Sequence, residues 1–362
     1  MKVDIMARKV VNRKYLPVML FTIGFAIVAS IVLYKVYAST ATTGVEPEAG
    51  TKSGAVTIAN DATASGGKAL KFGAAAVAGD KVIAAAGDIS TSTLTGPPKQ
   101  TADAILALNP DGVLVLGDSQ YNDGFAAQYS SYFDKLWGQF KSKIHPAPGH
   151  HDYYTDSTAA GYYGYYGAAA NNASQPNCTA SCEGYYSFNL GNWHLIALNT
   201  NHYTTTPLQV CAYVPCNATS AQVTWLKADL AANTKPCVLA YWSDPRFASG
   251  TKHGSNPVIG PIWDALYAGH VDIALNGHEH EYERFGKQNP SAVADNAGIR
   301  EFIVGTGGNG LYPFGTPVAN SEVRNNVTHG VLKLTLHADS YDWNFLPVDG
   351  TFTDSGTTTC NK

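Results

Sequence analysis

Charge is what this 362-residue chain has least of. Lys, Arg, Asp and Glu together make up 14 %, against about 25 % in an average soluble chain. The deficit does not mark disorder, which goes with high charge and few aromatics. Here 6 Trp, 21 Tyr and 13 Phe accompany 45 % hydrophobic residues. Basic clusters are also lacking. Residues 1–38 hold six of the 24 basic side chains and one of the 28 acidic ones, which leaves 18 basic against 27 acidic in the rest. A protein that grips a phosphate backbone concentrates Lys and Arg, so no nucleic acid partner is expected. The 35 Gly and 18 Pro show no G-X-Y period, which excludes a collagen-like chain. The nucleophile elbow G-x-S-x-G, the zinc-protease helix H-E-x-x-H and the Lys-Ser/Thr of a P-loop are all absent, which sets those three chemistries aside.

One long run lacks charge altogether. Tyr15 to Tyr34 is uncharged and follows five positive side chains. Twenty helical residues at ~1.5 Å each span ~30 Å, about one hydrocarbon core. The run is either a retained transmembrane anchor or a signal peptide cleaved after Ala38, in the small-x-small site Val36-Tyr37-Ala38. Either outcome places the remainder outside the cytoplasm, anchored to the membrane in the first case and secreted in the second. Residues 39–79, rich in Ala, Gly, Thr and Ser, read as a linker with a strand pair at Ala55–Ala59 and Lys68–Phe72. Residues 80–362 form the remaining domain. All six cysteines lie in it, and an even number in an oxidising compartment suggests disulfides. Cys178 with Cys182 and Cys211 with Cys216 are near enough in sequence to close small loops, leaving Cys237 for Cys360. Neither short pair is a C-x-x-C with neighbouring His, so a zinc–cysteine site is not expected.

From residue 81 onward short apolar runs recur: Val82–Ala86, Val113–Leu116, Ile144–Pro148, Leu195–Leu198, Cys237–Tyr241, Val271–Leu275 and Phe302–Val304. Their length and aliphatic content read as buried strands. Helical stretches fall between them at Thr101–Leu108, Phe125–Phe140, Ser220–Ala232 (with Ser220 as a cap) and Ile262–Ala268. Gly330–Pro347 alternates and reads as antiparallel finishing strands. Strands alternating with helices define an α/β domain.

The residues that follow these strands carry the chemistry. Gly87-Asp88, Gly117-Asp118 with Tyr121, Gly149-His150-His151-Asp152, Trp242-Ser243-Asp244-Pro245 and Gly277-His278-Glu279-His280 each come directly after one. Ligands gather at the carboxyl ends of strands in such folds. Carboxylate, phenol and imidazole donors suit iron, zinc or manganese. A shared carboxylate can hold two ions ~3.5–4 Å apart, which suits phosphoryl transfer.

Taken in order, Gly87-Asp88, Gly117-Asp-x-x-Tyr121, Gly149-x-His151-Asp152 and Gly277-His-x-His-x-Tyr-Glu-Arg284 resemble the calcineurin-like metallophosphoesterases. Tyr121 and the Tyr282-Glu283-Arg284 tail are most similar to the purple acid phosphatase branch. The resemblance covers roughly residues 80–350. It implies a four-layer αββα sandwich and a centre of two transition-metal ions that hydrolyses small phosphate esters through a metal-bound hydroxide. Asp88, Asp118, Tyr121 and His280 would hold the first ion. Asp118, shared, and His278 would hold the second, with the residues after Gly149 and Trp242. His151 would protonate the leaving oxygen, Asp152 would orient it, and His253 would contact substrate.

Two positions depart from the family pattern. Where it has Asn after Gly149 and His after Trp242, this chain has His150 and Ser243. Three arrangements follow. His150 and the neighbouring Asp244 ligate the second ion; or they pair with each other and leave one ion; or the second site is lost and the chain is a catalytically impaired binding protein. The aromatic segment Tyr153–Gly167 serves as a lid or ring-binding platform, or it simply packs. Arg284 is assigned to holding its loop, and the glycine-rich run 305–310 to the rim of the site.

Overall fold

The computed structural model describes residues 56–60, 68–72, 79–172, 174–200 and 210–361. The anchor or signal segment at 15–34 and most of the linker lie outside the described residues. Among the described residues no helix is long and apolar enough to cross a membrane. Strands β1 (Val56–Asn60) and β2 (Lys68–Phe72) pair antiparallel, Val56 opposite Phe72. They belong to a unit separate from the one that begins at Ala76.

Two mixed sheets build the second unit. The first contains β3 (Lys81–Ala86), β4 (Gly112–Leu116), β5 (Ile144–Ala147), β13 (Gly330–Leu336), β14 (Ser340–Pro347) and β15 (Ser355–Thr359), in the order β15-β14-β13-β3-β4-β5. The second contains β6 (Tyr186–Leu190), β7 (Trp193–Ala197), β8 (Cys237–Trp242), β9 (Ile273–Asn276), β10 (Tyr282–Phe285), β11 (Arg300–Val304) and β12 (Ser321–Asn325), in the order β12-β10-β11-β9-β8-β7-β6. The central strands β3-β4-β5 and β7-β8-β9-β11 run parallel within their sheets. Side chains alternate across each strand, and the core shows it. In β8, Cys237, Leu239 and Tyr241 join the cluster shared with β3 and β4, whereas Val238, Ala240 and Trp242 join a second cluster. That second cluster takes its helical side from α4 (Ala221–Ala232) and α5 (Gly260–Ala268). Helix α1 (Pro97–Leu108) buries Thr101, Ala102 and Ile105 and packs against β13.

Local chemistry accounts for the element ends. Helix α1 starts four residues earlier than its apolar pattern indicates, because Pro97 and Pro98 occupy its first turn, where a missing N–H costs nothing. Ser220 caps α4 by accepting the Val223 N–H at 3.3 Å. The stretch expected as one helix over 125–140 is broken. A π-helical turn at Tyr129–Phe133 and a kink at Phe140 interrupt it. The Phe133 N–H donates to Oε1 of Gln120 at 3.1 Å, and a side chain inserted into a helical ladder distorts it. The short helices α2 (His150–Tyr153) and α3 (Ala160–Tyr166) follow β5. Tyr162, Tyr163 and Tyr166 are buried and the Tyr153 and Tyr163 hydroxyls meet at 2.7 Å, so most of that aromatic segment packs. Tyr154 differs, being partly exposed and stacked on the His151 ring at 5.2 Å. The three disulfides are Cys178–Cys182, Cys211–Cys216 and Cys237–Cys360.

Candidate metal centre

The carboxyl ends of β3, β4 and β5 in one sheet meet those of β8 and β9 in the other. Backbone bonds lock the junction: Gly87 N donates to Val304 O at 2.9 Å and Gly307 N to Gly87 O at 2.9 Å. Asp88, Asp118 and His278 all adopt left-handed backbone, with φ of 59°, 50° and 68°. Such strain in residues with a Cβ costs free energy and collects at functional sites. Gly149 is required by close approach, since a Cβ there would collide with the Asp118 carboxylate.

Each buried carboxylate is anchored by one oxygen and offers the other. Asp88 Oδ2 accepts the His278 N–H at 2.8 Å, and Asp118 Oδ1 accepts the His151 N–H at 2.7 Å. The Tyr121 hydroxyl donates to Asp88 Oδ1 at 2.6 Å and lies 3.2 Å from Asp118 Oδ2 and 3.0 Å from His280 Nε2. His280 Nε2 is also 3.2 Å from Asp88 Oδ1. His280 Nδ1 lies 2.7 Å from the Gly310 carbonyl, which only accepts, so Nδ1 carries a hydrogen and Nε2 is the nitrogen directed into the cluster. Tyr312 stacks on the other side of this ring at 3.9 Å. Four oxygen and nitrogen donors therefore converge, which is a fitting set for a transition-metal ion.

A second set adjoins it. Ligand atoms of Asp118, His150 and His278 all lie within 4.8 Å of one another. His150 Nδ1 is 2.9 Å from Asp118 Oδ2. Asp118 thus belongs to both sets, as a shared ligand must. Burial alone would raise its carboxyl, but the imidazoles of His150, His151 and His278 outweigh that and hold it well below the usual range. Burial pushes the Tyr121 hydroxyl well up, and the charges of Asp118 and Asp88 push it further.

Two expected residues, Asp244 and Asp152, make contacts the sequence does not give. Asp244 lies beside His278, its Oδ1 3.6 Å from His278 Nε2 while Thr200 donates to its Oδ2 at 2.8 Å. It lies outside the group of three donor residues whose ligand atoms fall within 4.8 Å of one another. Asp152 does not orient the His151 ring. It accepts Gly149 N–H at 2.8 Å and the Tyr129 hydroxyl at 2.5 Å, fixing the turn instead. Burial, and next the charge of Asp118, raise its carboxyl to about 8. The ring of His151 is oriented by the Asn122 carbonyl, 2.6 Å from Nδ1, and rests on Tyr121 at 4.2 Å. Burial lowers the His151 imidazole. His253 lies at the site, its ring 4.0 Å from that of His278, and burial lowers it to about 4. The Ser243 hydroxyl is buried with no hydrogen-bond partner among the described residues.

The carbonyls of Asn122 and Gly310 escaped the sequence reading because a backbone acceptor leaves no residue signature. Glu279 also escaped it. Its Oε1 accepts the N–H groups of His253, at 2.8 Å, and Gly254. Its place between two histidines was the available signal. Arg284 bonds Asp354 at 2.7 Å and Glu322, away from the donors.

Two parallel-centred sheets whose strand ends converge buried carboxylates and imidazoles define a metal-site fold. The matching family profile, calcineurin-like phosphoesterase, spans residues 82–282, and the chain belongs to that family. Purple acid phosphatase 15 of Arabidopsis thaliana is 25 % identical over 256 residues, 63 % of this chain and 45 % of its own length. The chain thus spans about half the length of that curated relative. A purple acid phosphatase from yellow lupin seeds superposes with a TM-score of 0.62 at 18 % identity, over 77 % of this chain and 54 % of that one. The anchor in the inner membrane complex of Plasmodium shares the fold with a TM-score of 0.56 at 15 % identity, over 78 % and 90 %.

Proposed function

We propose that this chain is an extracytoplasmic phosphoesterase that hydrolyses small phosphate esters at a centre of two transition-metal ions. The observation that carries the reading is the sharing of Asp118 between two adjoining donor sets. Asp88, Asp118, Tyr121 and His280 would hold one ion; Asp118, His150 and His278 would hold the other. When bound, the pair neutralises phosphoryl charge and supplies a nucleophile at neutral pH. The protein's own part is positional. The N–H groups of His278 and His151 keep the carboxylates aimed, and the Gly310 carbonyl keeps His280 in its tautomer. His151, with Nδ1–H fixed on Asn122, gives a proton to the leaving oxygen from Nε2 when the ring is the imidazolium.

Placement outside the cytoplasm is supported by the uncharged run 15–34 behind five positive charges and by three disulfides. The testing experiment is elemental analysis of purified residues 39–362 together with hydrolysis of a phosphate monoester and a diester. About two ions per chain with turnover supports the reading. One ion or none, without turnover, replaces it with a non-catalytic binding protein on the same fold.

A further inference from the structure

The second donor set has three members where the first has four. The position that would complete it, residue 243, carries a hydroxyl too short for the task. Ser243 is fully buried against Gly117, where its Oγ would crowd a Cβ at 2.7 Å. Asp244 has its Oδ2 held by the Thr200 hydroxyl at 2.8 Å and its Oδ1 3.6 Å from His278 Nε2. A third imidazole stands next to the other two. The His253 ring lies 4.0 Å from that of His278, tilted by 32°, and 6.1 Å from that of His150.

The loop that carries His253 is held rather than loose. Glu279, fully buried between His278 and His280, accepts the His253 and Gly254 N–H groups on one oxygen. Gly250 is needed there, because a Cβ would run into the Glu279 carboxylate. Ser249 is tied to Glu283 by its N–H at 2.8 Å and its hydroxyl at 2.5 Å. Asn256 N donates to Pro245 O at 3.2 Å. The segment that begins at the shortened position 243 is therefore folded back so that its histidine faces His278.

We propose that His253 is the fourth donor to the second ion, supplying from ten residues downstream the imidazole that position 243 lacks. The inference rests on the two-ion reading above. The test uses the full chain stripped of metal and titrated with cobalt(II), following visible absorption and the bound metal by equilibrium dialysis. The unaltered chain should bind two equivalents. His253→Ala should keep the first at unchanged affinity, which doubles as the folding control. Its second equivalent should weaken by at least the ~10–100-fold that loss of an outer-shell partner costs. Ser243→His placed on His253→Ala should restore the second equivalent. Two equivalents at unchanged affinity in His253→Ala would overturn the proposal while leaving the two-ion centre intact. One equivalent or none in the unaltered chain would remove the two-ion reading and the proposal with it.

Discussion

His150 Nδ1 lies 2.9 Å from Asp118 Oδ2, the same oxygen that the Tyr121 hydroxyl approaches at 3.2 Å. One carboxylate oxygen thus joins the two donor sets. Asp118→Asn removes its charge and half of its acceptor capacity at once. We expect bound metal to fall from two ions to one or fewer, and turnover to fall by more than ~100-fold, since even outer-shell losses cost 10–100-fold. Elemental analysis paired with a phosphatase assay reads both; retention of two ions would contradict the shared role.

His151 differs from the ligands in that only its backbone N–H touches Asp118, while its ring is set by Asn122 and Tyr121. His151→Ala should therefore leave metal content unchanged. Its kcat should drop by about 10²–10⁴, the usual contribution of a positioned proton donor. The loss should be smaller for a nitrophenyl ester, whose leaving group needs no proton, than for an alkyl ester. Equal losses on both would assign His151 another role.

Cys237 and Cys360 are 123 residues apart in sequence, and their bridge ties the C-terminus to the first residue of β8. By loop-closure entropy this bridge contributes about 5 kcal/mol, against about 2 kcal/mol for the Cys178–Cys182 loop. Replacing both members by Ser should lower the melting temperature far more for the first pair than for the second. Thermal melts of the two double variants would decide.

His337 sits between two carboxylates, its Nδ1 2.8 Å from Asp80 and its Nε2 3.2 Å from Asp342. Burial opposes its charge, but the bonds to Asp342 and Asp80 win and raise the imidazole. A raised folded-state value means the stabilisation is fully present below about 6.5, the unfolded value, and is lost as pH rises through the folded one. His337→Gln should cost about 1 kcal/mol at pH 5.5, the scale of a partly exposed pair, and markedly less at pH 8.5. A pH-independent loss in denaturant titrations would refute this.

Much of the fold was legible because its signals are local. Each expected strand in 80–362 is present within a few residues, since short aliphatic runs bounded by Gly and Asp have few other uses. The break at Tyr129–Phe133 was not legible, because its cause, Gln120, comes from a neighbouring loop. The ligand-bearing motifs were readable as an ordered set. Which of them face the same point was not, and Asp244 shows why: Thr200, 44 residues away, holds one of its carboxylate oxygens.

The sequence by itself determined the central buried strands, the disulfide partners and the chemical kind of donor after each of those strands. Those follow from composition, spacing and the motif each run ends on. The tertiary structure alone decided that Asp118 serves two donor sets, that Asn122 rather than Asp152 sets the His151 ring, and that His253 comes to lie against His278. Each of these depends on two sheet edges meeting, and on backbone acceptors and a buried Glu279 carboxylate fixing side chains far apart in the chain. Hydrogen bonds act over about 3 Å, so contacts of this kind exist only once folding has brought their partners together.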